Sequence, residues 1–408
     1  VATVWARYKS NSPSLPTVRE PVIITVAGTN GKGSCIASMQ ALLLEHGYSV
    51  GAFTSPHFLR YNERISLCGQ PVSDDEIVAA FEAIETMRGD IDLTYFEFNT
   101  LAALIIFNRN ELDMLLLEVG LGGRLDAVNI IDADVAVLTS IDLDHQQWLG
   151  ETRTEIAREK LGIARRGKPL IIGEKDYPKD FKQLVSQTGA QALWCGDDFD
   201  YQIAETTFSA SLSARAHDDP TLLQIDNLPK ERLLPINKLL ALQALVCAGI
   251  LLDSDKCCSA LTDISLDGRQ QKYTYHGKKI ILDVAHNPAA AFALGQCLQR
   301  APGQSGKIIA VASVLDDKDW SAMVDALSRA IDSWKIAELE GISRAAKGHT
   351  LLKLLYNRGL DASLFATVKE AFLEALSEAS SDDKIVVFGS FHTVARVMEI
   401  ISAEVSSE

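Results

Sequence analysis

The chain has 408 residues, 47% of them hydrophobic and 23% charged, with a formal net charge of −15 at pH 7. That length and apolar content supply core for two or three domains, and the acidity argues against broad nucleic-acid or anionic-membrane surfaces while permitting a local basic pocket. The longest apolar candidate for a bilayer span, Leu239–Leu252, is interrupted by Gln243, and the seven scattered cysteines contain no C-x-x-C pair, which excludes a zinc site or disulfide frame of the usual spacing.

Val1–Tyr8 reads as a helix. The chain opens on Val1 rather than Met, so some preceding residues are expected to be missing; no signal peptide is read, and the scattered cysteines read as reduced cytosolic thiols, from which a cytoplasmic location is expected. Val22–Val26 is a short apolar strand that breaks at Gly28. A glycine-rich turn containing Lys32 and Ser34 follows, and a helical pattern (Met39, Leu42, Leu43) takes over. Strand, turn and helix N-terminus together aim backbone N–H groups at one point, which suits bound phosphates. Lys32 would add charge on the β/γ-phosphates and Ser34 a hydroxyl for Mg²⁺. The spacing departs from the common Walker pattern: only Thr29 and Asn30 separate Gly28 from Gly31, and Gly33 intervenes before Ser34. The reading is a nucleoside-triphosphate loop; a plain strand–helix connection is the alternative.

Thr54-Ser-Pro-His57 follows that helix and could bring a hydroxyl and an imidazole to the same phosphates, or be an ordinary Ser-Pro turn. The next strand, Met114–Val119, reaches Glu118 before a glycine-rich loop, Gly120–Asp126. Glu118 could hold Mg²⁺ or simply cap the loop. Val135–Thr139 is a third strand, and Asp142-Leu-Asp-His145 after it offers a metal or general-base histidine, the alternative being a solvated loop residue. Ile156, Lys160 and Ile163 share one helical face. A lysine turned inward must pair its charge, snorkel, or be altered, for example by carbamylation into an anionic metal ligand. A strand at Leu170–Ile172, a polar stretch from Ile203 to Leu228 reading as a small antiparallel edge, and a helix at Asn237–Leu252 lead to a linker at Ser265–Gly268.

A second α/β unit has strands at Lys279–Asp283, Lys307–Val314, Trp334–Glu338 and Lys384–Phe388. Three of them end in chemically dense loops, where open parallel sheets place ligands. Arg269, just after the linker, could reach phosphate, and Asp283 and His286 follow a strand, where the aspartate could accept from a ribose or purine group; each could equally be a surface charge or loop cap. The fold class expected is α/β: an N-terminal P-loop-type ATPase domain with a mostly parallel sheet (1–267), facing a smaller C-terminal Rossmann-like α/β domain (268–408).

Taken in order, GTNGKGS (28–34), TSPH (54–57), LTYFEF (93–98), LEVGLGGRLDA (117–127), DLDHQQWLG (142–150), AREKLGI (157–163), DVAHNP (283–288) and GSFHT (389–393) resemble the folylpolyglutamate synthase family of the Mur-ligase-like superfamily. LTYFEF and GSFHT bring the resemblance nearest to its bacterial bifunctional branch. The resemblance implies an ATP-dependent ligase that phosphorylates a carboxylate and lets the amine of L-glutamate attack the acyl phosphate, with dihydropteroate and reduced folates as substrates. By the same resemblance Thr29, Asn30, Gly31, Lys32, Gly33 and Ser34 hold ATP, joined by Asn237, Arg269 and Asp283. Ser55, Glu118 and His145 would be metal ligands, together with Lys160 as a carbamate. Thr94, Tyr95, Phe96, Glu97 and Leu125 would receive the pterin, and His286 and Ser390 would lie near the glutamate. Lys32, Lys160, His145 and His286 are the catalytic candidates. Two Mg²⁺ ions are implied, a monovalent cation is a further candidate, and the expected state is a monomer without nucleic-acid or membrane partners.

Two departures stand out. The family usually has Pro-Gly-Arg-Phe-Gln near the linker where this chain has Asp267-Gly-Arg-Gln-Gln271, and the family's N-terminal pterin-pocket segment is largely missing. The competing readings are a folylpolyglutamate synthase without the first activity, a muramyl-peptide ligase, which would carry a UDP-sugar domain before the glycine loop, and a nucleotide-dependent regulatory ATPase. A nicotinamide dehydrogenase fits less well, because Lys32 suits a triphosphate.

Overall fold

Ala2–Asn11 (α1) opens the chain, and Val22–Ala27 (β1), β-branched and buried along its second half, becomes the centre of a sheet. The computed structural model describes residues 1–11, 20–214, 222–299 and 306–405. Two units, Val1–Ile264 and Ser265–Glu408, each carry their own sheet.

In the first unit β1 leads into α2 (Lys32–Glu45), β2 (Val50–Phe53), β3 (Ile65–Leu67), β4 (Gln70–Pro71), α3 (Asp74–Arg88), α4 (Tyr95–Asn108) and β5 (Met114–Glu118). There follow β6 (Val135–Leu138), α5 (Gln146–Leu149), α6 (Arg153–Lys160), β7 (Pro169–Ile172), α7 (Phe181–Thr188) and β8 (Gln191–Trp194). The order β4-β3-β2-β5-β1-β6-β7-β8 is parallel from β2 to β8, with β3 and β4 added antiparallel at one edge. The chain leaves β1 to build one side and returns through β6 to build the other, so the carboxyl end of β1 is the switch point where α/β sheets bind ligands. Helix α2 covers the sheet with Met39, Leu42 and Leu43, all fully buried, each stabilising by roughly 1.5–3 kcal/mol.

The polar stretch forms a three-stranded antiparallel sheet of β9 (Asp200–Ile203), β10 (Thr207–Ser213) and β11 (Leu222–Pro229), as its alternation suggests; the part of it at 215–221 lies outside the described residues. Helices α8 (Pro235–Cys247) and α9 (Ser254–Thr262) complete the unit and pack on α2. Gln243, which interrupts the apolar run of α8, accepts from Ser213 N at 2.8 Å and donates to Ser213 O at 2.8 Å, tying the helix to the small sheet. Helix α8 ends at Cys247, short of Leu252, because Gly249 takes a left-handed conformation (φ +81°). No helix of the described residues is long and apolar enough to cross a membrane.

The second unit contains β12 (Gln271–Tyr275), β13 (Lys278–Leu282), α10 (Pro288–Cys297), β14 (Ile308–Ala312), α11 (Trp320–Leu327), β15 (Ser333–Ala337), α12 (Gly348–Asn357), β16 (Ala362–Phe365), α13 (Val368–Glu378), β17 (Lys384–Phe388) and α14 (Phe391–Val405). Its sheet runs β12-β13-β17-β14-β15-β16, parallel except for β12. Strands β2, β3, β4, β8, β12 and β16, not expected from sequence, are short or lie towards the edges, and their side chains carry no long apolar run.

Candidate active site

The glycine loop lies at the carboxyl end of β1. Helix α2 begins at Lys32, so Lys32, Gly33 and Ser34 stand in its first turn rather than in the turn before it, which puts their N–H groups among the donors that a helix start leaves without intrahelical partners. Gly31 caps the helix at φ +87°, and a Cβ there would stand 2.4 Å from Asn237 Oδ1. Asn237, near the start of α8 and buried, therefore packs directly on the loop. Lys32 Nζ crosses the loop, donating to Gly28 O at 3.0 Å and Thr29 O at 3.5 Å.

The segment after β6 clamps the loop from the other side. Thr29 N donates to Ser140 O at 2.9 Å, and Asn30 N to Ser140 Oγ at 2.9 Å. Thr29 Oγ1 donates to Asp142 O at 3.2 Å and accepts from Asp142 N at 3.0 Å. His145 follows, half-exposed at φ +51°, where it starts α5, and its Nε2 lies 3.9 Å from Oδ2 of the buried Asp144.

Glu118 ends β5, 4% exposed, and accepts from Ser55 N at 3.1 Å. The TSPH turn sits at the carboxyl end of β2, a strand that intervenes between it and α2 and pairs with β5; Ser55–Pro56 is cis. Two of the metal-ligand candidates are thus adjacent. Burial, with Glu118 second, pushes the Cys35 thiol far up, so that cysteine is an inert neutral group behind the loop.

Lys160 is the last residue of α6 and is 3% exposed. Burial first and the charge of Lys32 second lower its pKa to about 7, with Asp144 opposing both. Its ammonium makes no hydrogen bond among the described residues, and the charge of Asp144 is what favours its protonated form. The loop Gly120–Asp126 packs against the end of this helix. Arg124 N donates to Glu159 O at 2.8 Å, and a Cβ on Gly162 would lie 2.3 Å from Arg124 Cα, so only glycine permits that approach. Asp126 holds the loop closed by accepting from Gly120, Leu121 and Val128 N, and burial raises its pKa.

Among the pterin candidates, Thr94 and Glu97 form a capping box at the start of α4: Glu97 N donates to Thr94 Oγ1 at 3.3 Å and Thr94 N to Glu97 Oε2 at 2.7 Å. The T-x-x-E spacing carries that signal in the sequence, and it gives both residues a structural task. Tyr95 is 61% exposed, Phe96 packs on Phe53 and against Gly120, and Leu125 is 79% exposed. Trp148, 78% exposed, is a further apolar surface on α5 that the sequence reading passed over.

In the second unit Asp283 follows β13, accepting from Gln270 N at 2.9 Å and Ala285 N at 2.8 Å. Burial raises its pKa and Arg269 opposes that. The Arg269 guanidinium lies 5.2 Å over the Phe391 ring, and the His286 ring lies 6.2 Å from the same ring, while His286 Nδ1 lies 2.8 Å from Val284 O. Ser390, after β17, is buried and bonded to Thr393. The turn that departs from the family pattern is closed by Gln271, which accepts from Gly268 N at 2.9 Å and donates to Asp267 Oδ1 at 2.7 Å. Arg269 is thus held by a glutamine-built turn.

Residues 268–391 match the model of the Mur ligase glutamate ligase domain. Among curated proteins the chain is 41% identical over 383 residues to the dihydrofolate synthase/folylpolyglutamate synthase of Escherichia coli, an alignment covering 94% of this chain and 87% of that one. Among solved structures it superposes with a TM-score of 0.90 on E. coli FolC in complex with DHPP and ADP, at 39% identity, covering 99% of this chain and 92% of that one. A bifunctional folylpolyglutamate synthase/dihydrofolate synthase with Mn, AMPPNP and L-glutamate bound gives a TM-score of 0.88 at 40% identity, covering 98% and 93%.

Proposed function

The chain belongs to the dihydrofolate synthase/folylpolyglutamate synthase family, and on that premise we infer that it is an ATP-dependent carboxylate–amine ligase joining L-glutamate to dihydropteroate and to reduced folates. The observation that carries the reading is the glycine loop at the switch point of the first sheet, with Lys32 and Asp144 both in electrostatic reach of the buried Lys160. The γ-phosphoryl group of ATP passes to a carboxylate oxygen of the substrate, releasing ADP. The glutamate nitrogen then attacks the acyl carbon, the C–O bond to phosphate breaks, and the nitrogen gives up a proton as the amide forms.

Thr29–Ser34 and Asn237 are assigned to the nucleotide. Backbone N–H groups at the start of α2 receive phosphate oxygens, and Lys32 exchanges its two carbonyl contacts for them. Glu118, whose carboxylate accepts from Ser55 N, and the Ser55 hydroxyl are assigned to a hard divalent cation such as Mg²⁺, and His145 and a carbamate on Lys160 would complete the set for a second. Such cations would supply neutralisation of charge on the phosphoryl oxygens. A monovalent cation remains a further candidate. An amine that is half neutral near pH 7 can attack CO₂, lose its proton and become an anionic N-carboxylate, which would place a negative charge opposite Lys32. Tyr95, Phe96 and Leu125 offer apolar surface to the pterin and aryl rings. Arg269 and Asp283 are assigned to the nucleotide, His286 and Ser390 to glutamate, on domains divided at 267/268. A cytoplasmic location follows from the substrates of such a ligase.

The test is ADP release with dihydropteroate plus glutamate, and separately with tetrahydrofolate plus glutamate. Glutamate-dependent release with both is expected. Release with neither discards the ligase, and release with tetrahydrofolate alone removes the first activity.

A further inference from the structure

Arg64, in the short 3₁₀ turn before β3, is 6% exposed. Its Nε donates to His57 Nδ1 at 2.7 Å, and its guanidinium lies 5.4 Å over the exposed ring of Tyr95. No carboxylate among the described residues pairs with it, and none of its other four N–H donors has a side-chain or backbone acceptor there. The nearby acids are engaged elsewhere. Glu63 accepts from the N–H groups of Phe58, Leu59 and Arg60, and Asp74 from Arg60 and Asn62. His57 offers no compensating charge: as an acceptor at Nδ1 it is the neutral imidazole, and burial followed by Arg64 lowers its pKa. An arginine so enclosed is costly unless an anion meets it. Its Nη atoms are not among the sealed, unpartnered side-chain atoms, unlike Asn99 Nδ2 in the same cluster, so they still reach accessible space.

The position narrows the anion. Arg64 O accepts from Thr54 N at 2.9 Å, so the guanidinium projects from the strand pair that carries the TSPH turn, and Ser55 of that turn meets Glu118. Arg64 thus lies against the aromatic start of α4, next to the TSPH turn whose Ser55 meets the carboxylate end of β5. On the ligase reading, on which this inference rests, substrate runs between those two places. Dihydropteroate has one carboxylate, the one that is activated. Tetrahydrofolate carries a glutamyl residue with two, of which one reacts and the other must be received.

We propose that Arg64 receives the non-reacting carboxylate of a glutamylated folate and thereby sets the affinity for the second substrate over the first. A guanidinium fork matches a carboxylate with two parallel N–H···O bonds, and the stacked Tyr95 and the His57 bond fix the plane of that fork.

The experiment compares KM and kcat of wild type, Arg64→Gln and Arg64→Lys with dihydropteroate and with tetrahydrofolate, alongside equilibrium binding of both compounds. In Arg64→Gln the KM for tetrahydrofolate is expected to rise at least about tenfold more than that for dihydropteroate, with Arg64→Lys recovering part of the difference. Equal rises for the two substrates would assign Arg64 to the shared aryl arm, and a fall in kcat with both in Arg64→Gln and Arg64→Lys alike would assign it to phosphoryl transfer or to folding; either overturns the proposal. A wild type that turns over neither substrate defeats the ligase reading instead, and the binding preference then still decides the role of Arg64.

Discussion

Replacing Lys160 by Met removes an amine while nearly preserving its volume, and the consequence for stability can be worked from burial. A pKa drawn from 10.5 to about 7 corresponds, at 1.36 kcal/mol per pH unit, to an upper bound of about 5 kcal/mol against the charged form. Below about pH 7 the folded and unfolded chains both hold the proton, and the folded state bears the full penalty. Between about pH 7 and 10.5 only the unfolded chain holds it, so stability rises with pH through that window. Lys160→Met escapes the penalty. In CO₂-free buffer it should melt several degrees above wild type at about pH 6, at roughly 2 °C per kcal/mol for a unit of this size, with the gap narrowing towards about pH 9. Differential scanning calorimetry at the two pH values reads it directly. Bicarbonate should then stabilise wild type and raise its turnover, and do neither for the variant, which should be inactive. Parallel melting curves for the two proteins at both pH values would refute the buried-amine argument, and turnover indifferent to bicarbonate would refute the carbamate.

Gly31→Ala should weaken ATP binding at least about tenfold and cost on the order of 1–2 kcal/mol of stability, because φ is +87° there and the new methyl meets Asn237 Oδ1; titration with a fluorescent nucleotide and a melting curve check both. Glu118→Gln keeps an acceptor for Ser55 N but drops the charge, so the Mg²⁺ concentration for half-maximal ADP release should rise at least about tenfold with little change in melting temperature; an unaltered Mg²⁺ requirement would remove Glu118 from the metal site.

The parallel layers were legible because buried strands such as Met114–Glu118 and Lys384–Phe388 are unbroken apolar runs ending in polar loops. β2 was not, since Val50–Phe53 is four residues long and contains a glycine. Glu118 and Lys160 could be singled out because each breaks an apolar pattern. Arg64 could not, because a cation beside Glu63 reads as half of an ion pair, and only the structure reveals that Glu63 is occupied by backbone. Asp144, two residues past the more conspicuous Asp142, acquires its importance from Lys160, sixteen positions on and in a different element. Thr94 and Glu97 illustrate the reverse case: their spacing announced a helix cap as plainly as a binding surface.

The two-way bond between Thr29 and Asp142 makes the glycine loop and the histidine loop one piece of scaffolding. Before nucleotide arrives, both are already fixed by bonds the protein makes with itself, so the ordering entropy of the mould is spent during folding and not drawn from the affinity for ATP. The same stiffness sets a boundary on engineering: transplanting Gly28–Ser34 alone would carry the shape of the cradle without the brace that keeps it.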